Sequence, residues 1–188
     1  GRLTAPVTGR ATVSSVNADT CVIAIDAGTT GVRSRAVFTD GRPAVASYRE
    51  FTQHYPQPGW VEHDATEIWQ AVVATLDDVV EQVGRETVAA IGITNQRETV
   101  IAWNRETGAP YGSAIVWQDR RTAARCDELT AAGHLPRVRE LTGLVLDPYF
   151  SATKLEWLLT EGGVVAGPDL AFGTVDTWIL WKLTGGPQ

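Results

Sequence analysis

The hydrophobic pattern first becomes regular at residues 21–26, CVIAID, a short apolar run rich in β-branched positions that predicts a buried strand. After a turn over 27–31, residues 32–38 alternate in the β manner, the DGRP stretch at 40–43 signals a second turn, and 44–51 predicts a third strand. A polar loop, 52–63, leads to Asp64, which suits a helix N-cap, with Glu67 at the capping-box position. Ile68, Trp69, Val72, Val73, Leu76, Val79, Val80 and Val83 then keep the three-and-four spacing of one buried helical stripe, and Gly84 is a natural stop. Residues 88–94 predict a buried strand and 99–103 another. Helical patterns follow over 120–131, 135–141, 152–159 and 176–183, with a short strand over 170–175. Three leading strands followed by alternating helices and strands predict an α/β domain with a mixed sheet. Residues 1–20, rich in Gly, Ser, Thr and Ala without apolar period, predict a flexible leader; an Arg-containing, almost acid-free transit peptide is the lesser alternative, since no amphipathic helix is evident.

Composition narrows the function more than the fold. The chain has 188 residues, enough for one ordinary core, and a formal charge of −6 with acids and bases interspersed, which argues against nucleic acid as a partner. Only Lys154 and Lys182 among the 16 basic residues are lysine, a bias that carries no function by itself. Cys21 and Cys126 have neither disulfide-framework nor zinc-site spacing, which suits a reducing, cytoplasmic setting. No apolar run approaches the roughly 18 residues that span a bilayer, so no membrane is expected. The sequence begins Gly-Arg and contains no Met, so an excerpt of a longer protein is expected.

Four stretches carry candidate chemistry. The first is DAGTTGVR over 26–33, set between two predicted strands. Its glycines permit close backbone approach to a ligand, Thr29 and Thr30 offer hydroxyl and N–H donors to phosphate oxygens, and Asp26 can hold a hydrated Mg²⁺. It is not a P-loop, because no lysine motif is present and the glycines lead into a strand. An ordinary hairpin with turn-forming Gly and Thr is an even alternative on this stretch alone. The second is NQRET over 95–99, where Arg97 as donor beside Glu98 as acceptor suits the adjacent hydroxyls of a polyol. Neighbouring strand residues point to opposite faces, so both reach one ligand only where the strand is interrupted; a solvated Arg-Glu pair is the bland alternative. Third, Trp117 in IVWQDRRT over 115–122 can wall the carbon face of a polyol, although most of the 7 Trp must be core. Fourth, DPYFSATK over 147–154 places the Tyr149 hydroxyl in a loop ahead of a helix.

These stretches, in this order and together with PGWVEHD over 58–64 and GTVDTW over 173–178, resemble the FGGY family of sugar and polyol kinases, most closely its members that act on glycerol. The resemblance covers nearly all of residues 21–185. It implies the actin-like, hexokinase-like (ribonuclease H-like) ATPase fold, with 21–188 as an incomplete N-terminal domain. It also implies transfer of the γ-phosphoryl group of ATP, with Mg²⁺, to a terminal hydroxyl of glycerol. Carried over position by position, Asp26 lies near the metal, Thr29, Thr30 and Arg33 near the nucleotide phosphates, and Arg97, Glu98, Trp117 and Tyr149 around glycerol. Gly31 stands where such kinases commonly carry Ser, which removes one hydroxyl and keeps the backbone N–H. The family's aspartate base and its adenosine-binding domain belong to downstream segments, so no catalytic residue is expected in this chain and no turnover from it alone. Relatives commonly form homo-oligomers. A kinase for another polyol or a pentose, and a non-catalytic half-protein that binds a ligand or partner, are the rival readings.

Overall fold

The computed structural model describes residues 20–186. The predicted leader, apart from Thr20, lies outside the described residues. Within them are eight strands and five α-helices. The opening is the expected run of three antiparallel strands, β1 (Cys21–Ala27), β2 (Gly31–Phe38) and β3 (Val45–Glu50). Helix α1 (Ala65–Val83) follows, and β5 (Val88–Asn95) then runs parallel to β1, completing a mixed sheet of order β3-β2-β1-β5.

The alternation of β1 explains its placement. Ile23, Ile25 and Ala27 are fully buried, with Ile68, Val72 and Val79 of α1 in the same core cluster. Asp64 caps α1 by accepting from the Thr66 N–H at 2.6 Å. Glu67 does not close the predicted capping box: its carboxylate instead accepts from the Thr52 N–H at 2.9 Å, which pins the chain entering the polar loop. The apolar stripe also contains a polar residue that periodicity does not flag, since Thr75 is buried and meets Ser34 of β2 at 2.8 Å.

One expectation needs correction. Residues 88–94 are not a buried strand: β5 is the edge of its sheet among the described residues, α1 lies chiefly over β2 and β3, and Ile91 remains 42% exposed. The mixed sheet is present as expected, and a second sheet accompanies it. This antiparallel sheet of order β4-β7-β6-β8 contains β6 (Val100–Asn104), β8 (Leu170–Thr174) and the two-residue strands β4 (Glu62–His63) and β7 (Ala114–Ile115). Thus the end of the polar loop contributes β4, and the strand-like run around Trp117 pairs only at its start. The helices α2 (Ala123–Ala131), α3 (Leu135–Thr142), α4 (Ser151–Thr160) and α5 (Val175–Thr184) fall close to their predicted spans. Among the described residues, no helix is long and apolar enough to cross a membrane.

Candidate functional site

The chain passes from the first sheet to the second at residues 96–99, between β5 and β6. This break meets the condition set for Arg97 and Glu98: they occupy a turn rather than a continuous strand, with Glu98 in the left-handed region at φ 65°. A non-glycine residue there is uncommon and persists only where its surroundings hold it. They do so here. The Glu98 carboxylate accepts from the Ser151 N–H at 2.9 Å and from its hydroxyl at 2.7 Å, and the Glu98 carbonyl accepts from Lys154 Nζ at 2.5 Å.

Lys154 is fully buried and donates a second bond, at 2.8 Å, to the Tyr149 carbonyl. One ammonium therefore ties the Arg97–Glu98 turn to the Tyr149 loop. Burial pushes its pKa down to about 8, a fall partly offset by Glu98, Asp119 and Asp147. Asp147 accepts from the Tyr149 N–H at 2.8 Å, which fixes that loop from its other side. The Tyr149 ring meets Trp117 edge-to-face at 5.9 Å.

The phosphate-type turn lies across from this cluster. Trp117 Nε1–H donates to Thr29 Oγ1 at 3.0 Å, so a predicted polyol-wall residue touches a predicted phosphate residue directly. Thr29, Asn95, Gln96, Arg97, Trp117 and Tyr149 together line an open cleft of about 340 Å³. The structure thus gathers Thr29, Arg97, Trp117 and Tyr149 in one concavity and aims the Glu98 carboxylate at Ser151. Asp26, Thr30 and Arg33 are not in its lining. Strand register sets Asp26 opposite Arg33, both exposed, while Thr30 Oγ1 lies 3.3 Å from the Tyr48 hydroxyl and the Arg33 guanidinium sits 5.4 Å from the Tyr48 ring.

The unusual Gly31 has a local reason. A Cβ built there meets the Arg49 carbonyl and comes within 2.6 Å of the Tyr48 hydroxyl, so Tyr48 fills the space that a side chain at 31 needs. Sequence reasoning passed over Asn95 and Gln96, which line the cleft, and Lys154 and Ser151, which support it. The stretches NQRET and DPYFSATK contained all four, but the supporting roles of Ser151 and Lys154 arise from contacts with Glu98 more than fifty residues away in sequence.

The sequence profile of the N-terminal domain of the FGGY family of carbohydrate kinases matches residues 21–188. A glycerol kinase from Rhodopirellula baltica is 52% identical over 174 residues, covering 88% of this chain and 32% of that protein. One from Rhizobium meliloti is 54% identical over 173 residues, covering 88% and 34%. The crystal structure of Plasmodium falciparum glycerol kinase with ADP superposes with a TM-score of 0.79 at 29% identity, covering 89% of this chain and 35% of that one. The chain therefore spans about a third of the length of the curated relatives it matches.

Proposed function

This chain belongs to the FGGY family of carbohydrate kinases, and from that membership we propose that it forms the phosphate- and polyol-binding wall of an ATP-dependent glycerol kinase. The observation that carries the reading is the shared cleft, in which Thr29 of the phosphate-type turn lies beside Arg97, Trp117 and Tyr149. Phosphoryl transfer depends chiefly on holding donor and acceptor in line and stabilising the charge between them. A cleft that brings a phosphate contact next to a polyol contact supplies the first requirement.

Each residue has a role suited to its surroundings. The Thr29 hydroxyl accepts from Trp117, which leaves its own proton free for a phosphate oxygen. Thr30 and Arg33 extend the phosphate contacts along the turn. Arg97, exposed and without a hydrogen bond to another described residue, donates to polyol hydroxyls. The second carboxylate oxygen of Glu98 accepts from them, Trp117 faces their carbon side, and the Tyr149 hydroxyl closes the pocket. Asp26, whose exposed carboxylate is a hard oxygen donor with no hydrogen bond to another described residue, fits Mg²⁺. When bound with ATP, that ion neutralises and orients phosphate oxygens. The base that takes the hydroxyl proton and the site for adenosine belong to the part of the enzyme outside this chain.

The test is a coupled ADP-release assay of the complete protein with MgATP against glycerol, other polyols and pentoses, run beside the 188-residue chain alone. The expected result is preference for glycerol in the complete protein and no appreciable turnover from the chain, since loss of general-base help alone costs about 10²–10⁴ in rate. Equal turnover by the chain, or preference for a pentose, refutes the reading.

A further inference from the structure

Beside the cleft lies a closed circuit of hydrogen bonds to which the residues assigned above contribute only two members. Trp117 Nε1–H donates to Thr29 Oγ1 at 3.0 Å, and the Trp117 N–H donates to Thr99 Oγ1 at 3.2 Å. Thr99 Oγ1 donates to Gln96 Oε1 at 2.9 Å, and Gln96 Nε2 lies 3.1 Å from His63 Nδ1. His63 Nε2 lies 2.7 Å from Gln53 Oε1, and Gln53 Nε2 donates to the Thr29 carbonyl at 2.9 Å, returning to the start. Gln96 Nε2 also donates to the Gly28 carbonyl at 3.1 Å. His63, Gln96 and Thr99 are buried.

Each bond of the circuit has a fixed donor, and its two arms both run from Trp117 to Thr29. Gln96 gives its N–H groups to Gly28 and His63 and accepts from Thr99, so His63 Nδ1 must be an acceptor. Its Nε2 must then carry the proton and donate to Gln53, whose oxygen is thereby committed and whose NH₂ faces Thr29. A neutral imidazole of this tautomer satisfies every member; an imidazolium sets an N–H against the NH₂ of Gln96. Of the three carbonyls that the glutamines hold, those of Gly28 and Thr29 belong to the phosphate turn, and the third, at 3.4 Å from Gln53 Nε2, is that of Phe51.

We propose that His63 is a positioning residue for phosphoryl transfer, which through this circuit locks the backbone of the phosphate turn against the wall formed by Trp117. The proposal rests on the function proposed above. It assigns to His63 the relative placement of the two substrates, because a shift of the turn moves Thr29 away from both its carbonyl anchor and the indole. The surroundings favour the required state: burial first and His54 second, against an opposing Glu67, take the His63 pKa down to about 4, and the Phe51 ring packs edge-on at 4.9 Å. The grip on Glu98 and Tyr149 comes from Lys154, Ser151 and Asp147, outside the circuit.

Two measurements on the complete protein test this. Nitrogen-15 histidine NMR reads His63 without any variant; the proposal requires a neutral ring protonated on Nε2 from pH 8 down to pH 5.5, and an Nδ1–H tautomer or an imidazolium at pH 6 overturns it. The second compares the kinetics of Gln53→Met and Gln53→Glu with wild type from pH 8 to 5.5. Gln53→Met breaks the circuit without adding charge, and should lower kcat about 5- to 150-fold in parallel with wild type at every pH. Gln53→Glu favours the imidazolium, so its kcat should drop further toward acid pH, while KM for glycerol stays within about twofold in both variants. Superimposable profiles for the two variants, or a change confined to KM for glycerol, contradict the positioning role. Wild-type protein that phosphorylates no polyol instead sinks the underlying kinase reading, an outcome separate from an active enzyme with unaffected variants.

Discussion

The two sides of the cleft are held by opposite chemistry. On the proposed phosphate side, a hairpin turn between β1 and β2 is fixed by ladder register and by neutral hydrogen bonds around His63. On the proposed polyol side, a left-handed turn and a loop some fifty residues away are joined by a buried ammonium, Lys154, and by the Glu98 carboxylate on Ser151. A neutral network fails when it gains a proton, and a charged clamp changes when it loses one. The two sides should therefore respond at opposite ends of the pH range.

Lys154→Met breaks this comparison most severely. Two carbonyls, those of Glu98 and Tyr149, lose their donor, and each buried acceptor left unpaired costs about 1–3 kcal/mol. The folded pKa of Lys154, about 8, lies below that of a free lysine. The stability this group contributes is thus full above about 10.5 and lost as pH falls through about 8. Chemical denaturation from pH 7 to 10 should show wild-type stability rising with pH from this group, and the rise should be missing in Lys154→Met. An unchanged slope in the variant would place the titration elsewhere. By the same sign rule, the contribution of His63 is full above about 6.5 and lost as pH falls through about 4.

Gly31→Ser sharpens the comparison with a smaller effect confined to the phosphate side. Its Cβ meets the Arg49 carbonyl and displaces Tyr48, an overpacking cost of about 1–3 kcal/mol in all. The double variant Gly31→Ser/Tyr48→Ala should recover part of that stability by thermal melting, because it removes the movable half of the clash. KM for glycerol should not change in either. A double variant no more stable than Gly31→Ser would show that the backbone carbonyl alone sets the cost.

The same contrast governs what the sequence made legible. Strands β1 to β3, the presence of β5 and helix α1 follow from apolar patterning, turn residues and a capping aspartate, all local signals that the native packing respects. The partner of Glu67, the separation of β6 from the first sheet and the exposure of β5 do not, because each is decided by elements distant in sequence. At the site, the phosphate turn is contiguous and readable as a motif. Lys154 reads as one polar residue in a helical pattern, and nothing in its spacing marks a bond to residue 98. His63 lies in the PGWVEHD stretch and Gln53 in a polar loop, and neither has a periodicity that links it to Gln96, 33 residues beyond His63. The left-handed Glu98 was foreshadowed only by the stereochemical condition that Arg97 and Glu98 cannot share a ligand from an unbroken strand.

The central claim is that one cleft receives a polyol beside the phosphate turn, and the most direct test is the kinetics of Arg97→Ala and Glu98→Ala in the complete protein with glycerol as the varied substrate. Arg97 lines the cleft and makes no hydrogen bond to another described residue, so its removal should lower kcat/KM for glycerol about 10- to 150-fold, the scale of a charge-assisted hydrogen bond in the transition state. Glycerol kinetics that remain at the wild-type level in both variants would contradict the account.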